Sequence, residues 1–555
     1  MSENMKKRLP LTVTIAAVAA TAVLGAGFVS AASANPSAAP AAAAQTSTIN
    51  GYRNVGYFPQ WGVYARDFKL KKLQDSGGAS KLTNLNYAFG NINNQSLECF
   101  IANKAQGEGP NGSDGAGDAW ADFGMGYTAA NSVAGVADAW DQKLAGSFNQ
   151  LKQLKAKNPQ LKPMISIGGW TWSKNFSRAA ATDASRKKLV SSCVNLYLKG
   201  NLPVIDGRGG DGAAAGVFEG IDIDWEWPGS NNGNVGNSVD SVNDKANFKA
   251  LLKEFRTQMD ALGAQNGKRY ELSAFTPANP ADIASGGWND PEIFNYLDFG
   301  NVQGYDLWGA WAPTMDGHQG NLYDDPQDPR PANQKFSVDK AIKAYTSNGV
   351  KPSQLTMGLA MYGRGWQGVT SSTPWGAASS GAPGRFETGI NNYDDIKNVG
   401  TDYYNAAIGA AWRYDGDKWW SYDNAQTIKQ KADYIEANGL GGGMWWDLSG
   451  DQSFTLGSAL VDKFRAAKPG PVTGGTTPPT TPPTTPPTTP PTTTPPTTTP
   501  PGGACGGLAA WSASAVYTAG NQVSYQGQKW QAKWWTQNEP PKTADGYPWQ
   551  LLGNC

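Results

Sequence analysis

Phe218-Glu219-Gly220-Ile221-Asp222-Ile223-Asp224-Trp225-Glu226-Trp227-Pro228 sets three acids at alternate positions among large apolar residues. Alternation of this kind is the period of a β-strand, so Asp222, Asp224 and Glu226 are expected on one face and Ile221, Ile223 and Trp225 on the other. Crowded carboxylates repel one another and are costly to desolvate, which perturbs their proton affinities and marks a candidate catalytic site. Same-face neighbours on a strand lie roughly 6.6 Å apart along the backbone. That spacing suits paired acids acting on a glycosidic bond but does not separate a retaining from an inverting pair.

Such a strand needs a scaffold. Further candidate strands are 54–58, 82–89, 163–168, 271–276, 299–305, 356–361 and 442–446, with helical stretches such as Phe248 to Gly263 and Ala425 to Asn438 between them. With Gly220 to Glu226, eight strands alternating with helices predict an α/β fold, a (β/α)₈ TIM barrel with insertions. A doubly wound open sheet is the alternative, but no G-x-G-x-x-G turn follows the first strand. Functional side chains of such a barrel sit at the carboxyl ends of its strands, and Glu226 is the last acid of its run.

Lysine plus arginine and aspartate plus glutamate balance at 46 each, which gives no pointer to nucleic acid or to an anionic membrane surface. Charged residues make up only 17% of the 555 residues, whereas there are 22 tryptophans and 21 tyrosines, a composition suited to stacking on flat sugar faces. The single histidine, His318, excludes a two-histidine metal motif, and no G-x-S-x-G elbow accompanies it. No metal and no cofactor are expected.

Lys6, Lys7 and Arg8, the apolar run Leu11 to Val29, and Ala32-Ser33-Ala34 read as a secretory signal over 1–34, with a membrane anchor as the alternative. A biased leader covers 35–48. A Thr-Thr-Pro-Pro tract over 469–503 favours extended polyproline II and reads as a semi-rigid linker. It separates a large unit, 49–468, from a small one, 504–555. A secreted, extracellular and monomeric protein is expected. Cys505 and Cys555 bracket the small unit and are expected to pair, which leaves Cys99 and Cys193 as a second pair or as buried thiols.

Glu219-x-x-Asp222-x-Asp224-x-Glu226 resembles the D-x-x-D-x-D-x-E signature of family 18 glycoside hydrolases, the chitinases. Ser166-Ile167-Gly168-Gly169 resembles the family's S-x-G-G motif, Gln303-Gly304-Tyr305-Asp306 its M-T-Y-D segment, and Met444-Trp445-Trp446 its Trp-bearing eighth strand. The likeness runs from about Val55 to Asp451, with the motifs in the family's order. It implies hydrolysis of β-1,4 bonds between N-acetylglucosamine units with retention, the substrate's own acetamido oxygen attacking the anomeric carbon. Under it Glu226 is the general acid and base, Asp224 holds the acetamido N–H, Asp222 shares a proton with Asp224, and Tyr305 donates to the acetamido carbonyl. Asp306 lines the same pocket and Trp446 forms its floor. Substrate contacts are further expected from Gln303, Ser166, Gly169, Trp170, Arg364 and Trp61. Trp172, Trp308 and Trp311 are additional candidate stacking rings. Glu219 and Gln303 depart from the family pattern, and Glu219, out of phase with the acid face, is expected to be structural.

The stretch between Arg364 and Tyr434 exceeds a simple connection, and the resemblance implies a small α+β insertion between strands 7 and 8, about 364–434, forming one wall of a deep cleft. In the small unit, Ala532-Lys533-Trp534-Trp535-Thr536 resembles the core of chitin-binding modules of families 5 and 12, which implies an all-β module. Trp534 or Trp535, together with Tyr517, would stack there on chitin. Chitin and N-acetylglucosamine oligosaccharides are thus the expected partners. The rival readings are an endo-β-N-acetylglucosaminidase acting on glycoprotein glycans and a catalytically silent chitin-binding lectin.

Overall fold

The computed structural model describes residues 47–102, 117–472, and 508–554 apart from 514, 518, 519, 534, 535, 538 and 544–547. The expected signal segment, most of the linker, Cys505, Cys555, Trp534 and Trp535 lie outside the described residues. The contacts divide the chain into two units, one containing the barrel and the other the C-terminal residues.

Eight strands build the barrel: β1 (Arg53–Pro59), β2 (Asn84–Ile92), β3 (Lys162–Gly168), β4 (Gly220–Asp224), β5 (Glu271–Thr276), β6 (Phe299–Val302), β7 (Leu355–Ala360) and β8 (Gly442–Trp446). Each pairs in parallel with the next, and β1 pairs with both β2 and β8, so the sheet closes. The strands read as near-continuous apolar runs because both of their faces are buried, one by the barrel interior and one by helices. A principal helix follows each strand: α1 (Leu70–Asp75), α2 (Gly146–Lys157), α3 (Asp183–Cys193), α4 (Asp244–Asn266), α5 (Pro280–Gly286), α6 (Val338–Thr346), α7 (Ala425–Ala437) and α8 (Thr455–Ala466). In α4 the buried positions Phe248, Leu251, Leu252, Phe255, Met259 and Leu262 recur at helical spacing. Asn424 caps α7 by accepting from the backbone N–H groups of Gln426 and Thr427.

The first residues of five strands close the amino end of the barrel. Glu271, on β5, pairs with Lys162 of β3 at 2.5 Å and accepts from Asn84 of β2 at 2.7 Å. Arg53 of β1 stacks over the ring of Phe299 at 4.7 Å and adds a second positive charge near Glu271. Glu219, just before β4, forms ion pairs with Lys155 and Lys268, the structural part expected of it.

Between β7 and α7 the chain forms an antiparallel sheet from Tyr362 to Tyr422, with one short helix, Tyr393–Ile396. This is narrower than the 364–434 span expected, since residues 425–437 form the helix α7 that packs beside α8. Trp366, Trp412 and Trp419 give the sheet its own small core. Cys99 and Cys193 form a disulfide, Cα to Cα 4.9 Å.

The C-terminal unit is all-β: strands 522–525, 528–532 and 549–554 form one antiparallel sheet, and 516–517 pairs with 536–537. Tyr517 is not the exposed stacking ring expected. It packs edge-on against Trp549 at 5.1 Å in the unit's core, and its hydroxyl accepts from Ser512 N at 2.7 Å. A module this small has few apolar side chains with which to fill a core, so the ring is drawn inside.

Candidate active site

The three acids project from β4 and its continuation toward the carboxyl end of the barrel, and their surroundings differ. Asp222 is fully buried and ringed by donors: Tyr57 and Ser166 hydroxyls at 2.7 and 2.8 Å on Oδ2, Ser273 at 2.5 Å and Asn301 at 3.4 Å on Oδ1. Burial lifts its carboxyl above the ordinary value, and the hydroxyl donors pull it back. Asp224 has no such ring; its Oδ1 is buried without a partner among the described residues. Desolvation, with the charges of Glu226 and Asp222 beside it, holds its proton well above the carboxylate range.

Glu226 is hydrogen-bonded to Asp224 and is the one of the three acids that is partly exposed. Desolvation, aided by the negative charge of Asp306, pushes it up to about 8. The shared hydrogen bond thus joins Asp224 to Glu226, whereas Asp222, saturated by neutral donors, takes no part in it. Asp222 acts on Asp224 through its charge, and no hydrogen bond joins the two among the described residues.

Tyr305 follows β6. Its ring stacks on Phe275 at 6.2 Å, and among the described residues its hydroxyl meets only the weak Met444 thioether acceptor, at 3.8 Å. Burial, ahead of the nearby Tyr362, Asp224, Asp306 and Glu226, raises its pKa well above 10, so it stays a donor. Asp306 is gripped by Arg364 in a two-pronged pair, both arms at 2.8 Å, and by the Tyr362 hydroxyl at 2.5 Å. Arg364 lies 5.0 Å over the ring of Trp311, which is 58% exposed. Gln303 Oε1 accepts from Ala278 N at 3.3 Å and is partly exposed.

At the β8 end, Trp446 stacks on Phe89 at 5.7 Å and meets Tyr57 edge-on at 5.5 Å and Trp61 at 6.4 Å. Trp61 and Trp170 are 38% and 49% exposed at the barrel mouth. Trp308 is tied down by Arg330 at 4.4 Å and by an N–H bond to Met315 O.

Two expected substrate contacts lie beneath the surface instead. Ser166 is fully buried with its hydroxyl on Asp222, so it acts on the acid and not on a ligand. Gly169 is buried too, with φ +80° and space for a Cβ denied by the Phe89 ring at 2.6 Å; its role is to let that ring lie under the mouth. Tyr57, Ser273, Asn301 and Phe89 are site residues that the sequence reading missed. The available signal was polar side chains at alternate positions of otherwise apolar strands. Exposed Trp120 and Trp140 also escaped it; they line a separate groove of about 470 Å³ with Asp141, Lys143, Asp206 and Arg208.

The family model for glycosyl hydrolases family 18 matches residues 53–451, and that for carbohydrate-binding module family 5/12 matches 510–550. Chitinase C of Streptomyces lividans is 40% identical over 409 residues, covering 72% of this chain and 57% of that protein. Chitinase A1 of Niallia circulans is 32% identical over 466 residues, covering 78% and 60%. The chain therefore spans about three-fifths of the length of these curated relatives. Among solved structures, the catalytic domain of psychrophilic chitinase B from Arthrobacter TAD20 is 69% identical with a TM-score of 0.75, covering 77% of this chain and 98% of that one. Chitinase ChiA74 from Bacillus thuringiensis is 30% identical with a TM-score of 0.62, covering 75% and 70%.

Proposed function

The chain belongs to glycosyl hydrolase family 18, and from that premise we propose that it is a secreted, monomeric chitinase that cleaves β-1,4 bonds between N-acetylglucosamine units with retention of configuration. One observation carries the mechanism: Glu226 is the acid of the row that is partly exposed. Asp222 is saturated by donors within the wall, Asp224 is buried and bonded to Glu226, and Asp306 is clamped by Arg364. No carboxylate of this set is free to attack the anomeric carbon, which supports a nucleophile carried by the substrate. A 2-acetamido oxygen answers that need, as the family's exception to the two-carboxylate scheme has it.

The steps follow from the surroundings. Glu226, protonated up to about pH 8, gives its proton to the leaving glycosidic oxygen. As it becomes an anion, the hydrogen bond from Asp224 steadies it. Asp224 keeps that bond while its unpartnered Oδ1 accepts from the acetamido N–H, and the Asp222 charge behind it offsets the positive oxazolinium ring. The unclaimed Tyr305 hydroxyl donates to the acetamido carbonyl, and Trp446 supports the sugar face. Water, activated by Glu226 as base, opens the ring from the side the leaving group vacated. Residues 510–550 hold the enzyme on solid chitin.

Timed product analysis on a soluble N-acetylglucosamine hexamer tests this. β-Anomers are released first, and Glu226→Gln lowers kcat by ~10²–10⁴-fold. Initial α-product overturns acetamido participation, and near-normal turnover by that variant overturns the acid assignment.

A further inference from the structure

The ladder of β4 pairs Asp224 with Gly168 and Ile223 with Ala274, and no strand pairing extends beyond Asp224. Glu226, two residues on, therefore has no barrel hydrogen bond to fix its main chain. Both of its peptide groups are nevertheless occupied, and by side chains. Its N–H donates to Ser173 Oγ at 2.9 Å, and its carbonyl accepts from Asn237 Nδ2 at 2.8 Å. We infer that Ser173 and Asn237 are positioning residues that aim the Glu226 carboxyl, an inference that rests on Glu226 being the acid.

The two come from different loops, and each is built into its place. Ser173, in the turn after β3, is fully buried; its hydroxyl lies 2.9 Å from Gly169 O and 3.0 Å from Asp224 O, to either of which it donates. One hydroxyl thereby ties the end of β3 to the main chain on both sides of Trp225. Asn237 belongs to the loop between β4 and α4. That loop is fastened one residue along from Ser173, where Ser238 donates to Lys174 O through its N–H at 3.0 Å and its hydroxyl at 2.6 Å. It also crosses Glu226 at close range: a Cβ on Gly233 would come within 2.3 Å of the Glu226 carbonyl oxygen.

A peptide N–H and the following carbonyl lie in the two planes that flank one Cα. Holding both planes fixes φ and ψ of Glu226 and so the direction from which its side chain starts. Stability alone does not account for Asn237. Its Oδ1 is buried without a partner among the described residues, a cost that an apolar side chain would avoid. Tolerance of that cost fits a residue kept for where it puts the acid.

The test uses Asn237→Ala and Ser173→Ala in the full chain, with the hexamer as substrate. Each variant is expected to lose kcat by ~10–100-fold, the cost of misaligning a reacting group, with KM unchanged. Asn237→Ala is expected to keep the wild-type melting temperature, and it decides the matter alone if Ser173→Ala fails to fold. Unchanged kcat overturns the inference. So does a kcat loss in Asn237→Ala that comes with a raised KM and a lowered melting temperature, since that marks general loosening. An inert wild type instead overturns the chitinase reading; an active wild type, silenced by Glu226→Gln and indifferent to both loop variants, overturns this inference alone.

Discussion

The Tyr57 hydroxyl donates to Asp222 Oδ2 at 2.7 Å, joining β1 to β4 across the barrel interior. With the Ser166 and Ser273 hydroxyls it makes Asp222 the acid best supported as an anion. A fixed negative charge beneath Asp224 raises the proton affinity of the acid above it. The order of the acids along the strand is thus an order of solvation, from donor-rich at Asp222 to donor-poor at Asp224 and to partial exposure at Glu226.

Glu226 sets a pH limit. Its folded pKa of about 8 lies above that of a free glutamate, so it is protonated and competent as an acid below that pH. kcat/KM is expected to fall as pH rises through about 8, since its pH profile follows the free enzyme. The same shift bears on stability. The folded state binds the extra proton between the free-glutamate value of ~4.3 and the folded value, so stability declines as pH rises through that window. Glu226→Gln has no such proton to lose, so its melting temperature gains on wild type as pH rises toward 8. Parallel melting curves across the range would contradict the shift.

Arg364 is expected to tolerate no lysine. The guanidinium matches both oxygens of Asp306 at 2.8 Å while covering the Trp311 ring, and an ammonium does neither. Loss of a hydrogen bond to a charged group costs ~1.5–3 kcal/mol, so Arg364→Lys should lower kcat/KM on soluble oligosaccharides by ~10–100-fold. Wild-type kcat/KM in that variant would reduce the pair to a surface fastening.

Glu271 carries stability at the far end of the barrel. Burial alone would raise its pKa, but Lys162 and Arg53 outweigh burial and depress it. Its contribution is therefore present above ~pH 4.3, the free-glutamate value, and is lost as pH falls through the lower folded value. Glu271→Gln leaves the buried Arg53 and the half-buried Lys162 uncompensated and should cost ~3–5 kcal/mol at pH 7 by chemical denaturation, with activity kept in the folded fraction. A loss below ~1 kcal/mol, the range of exposed pairs, would show the pair to be solvated.

Removal of everything after Lys468 should reduce activity on solid chitin far more than on soluble oligomers. Equal losses on both substrates would deny the C-terminal unit its role of holding the enzyme to the solid.

The barrel was legible because its strands are apolar runs of the right length between helical patterns, and all eight lie where those runs fall. The acid row was legible for the same reason. Its end was not: alternation of side chains continues to Glu226, whereas the ladder stops at Asp224, and sequence periodicity does not record which main-chain bond is the last. Tyr57, Ser273 and Asn301 were missed because closure of the barrel brings them to Asp222 from positions between 51 and 165 residues away in the chain. Ser166 and Gly169 were placed in the right motif but at the wrong depth, since a motif gives neighbours along the chain and not distance from the surface. Tyr517 was misplaced because an aromatic that fills a small core and one that meets a ligand look alike in sequence.

Glu219 faces away from the other three acids and is fastened to Lys155 and Lys268 outside the barrel wall. The run of four acids is accordingly a partition. Mutational wear falls unevenly on its two sides: on the inner row an exchange is a change of reaction, while at Glu219 it is a change of rivet.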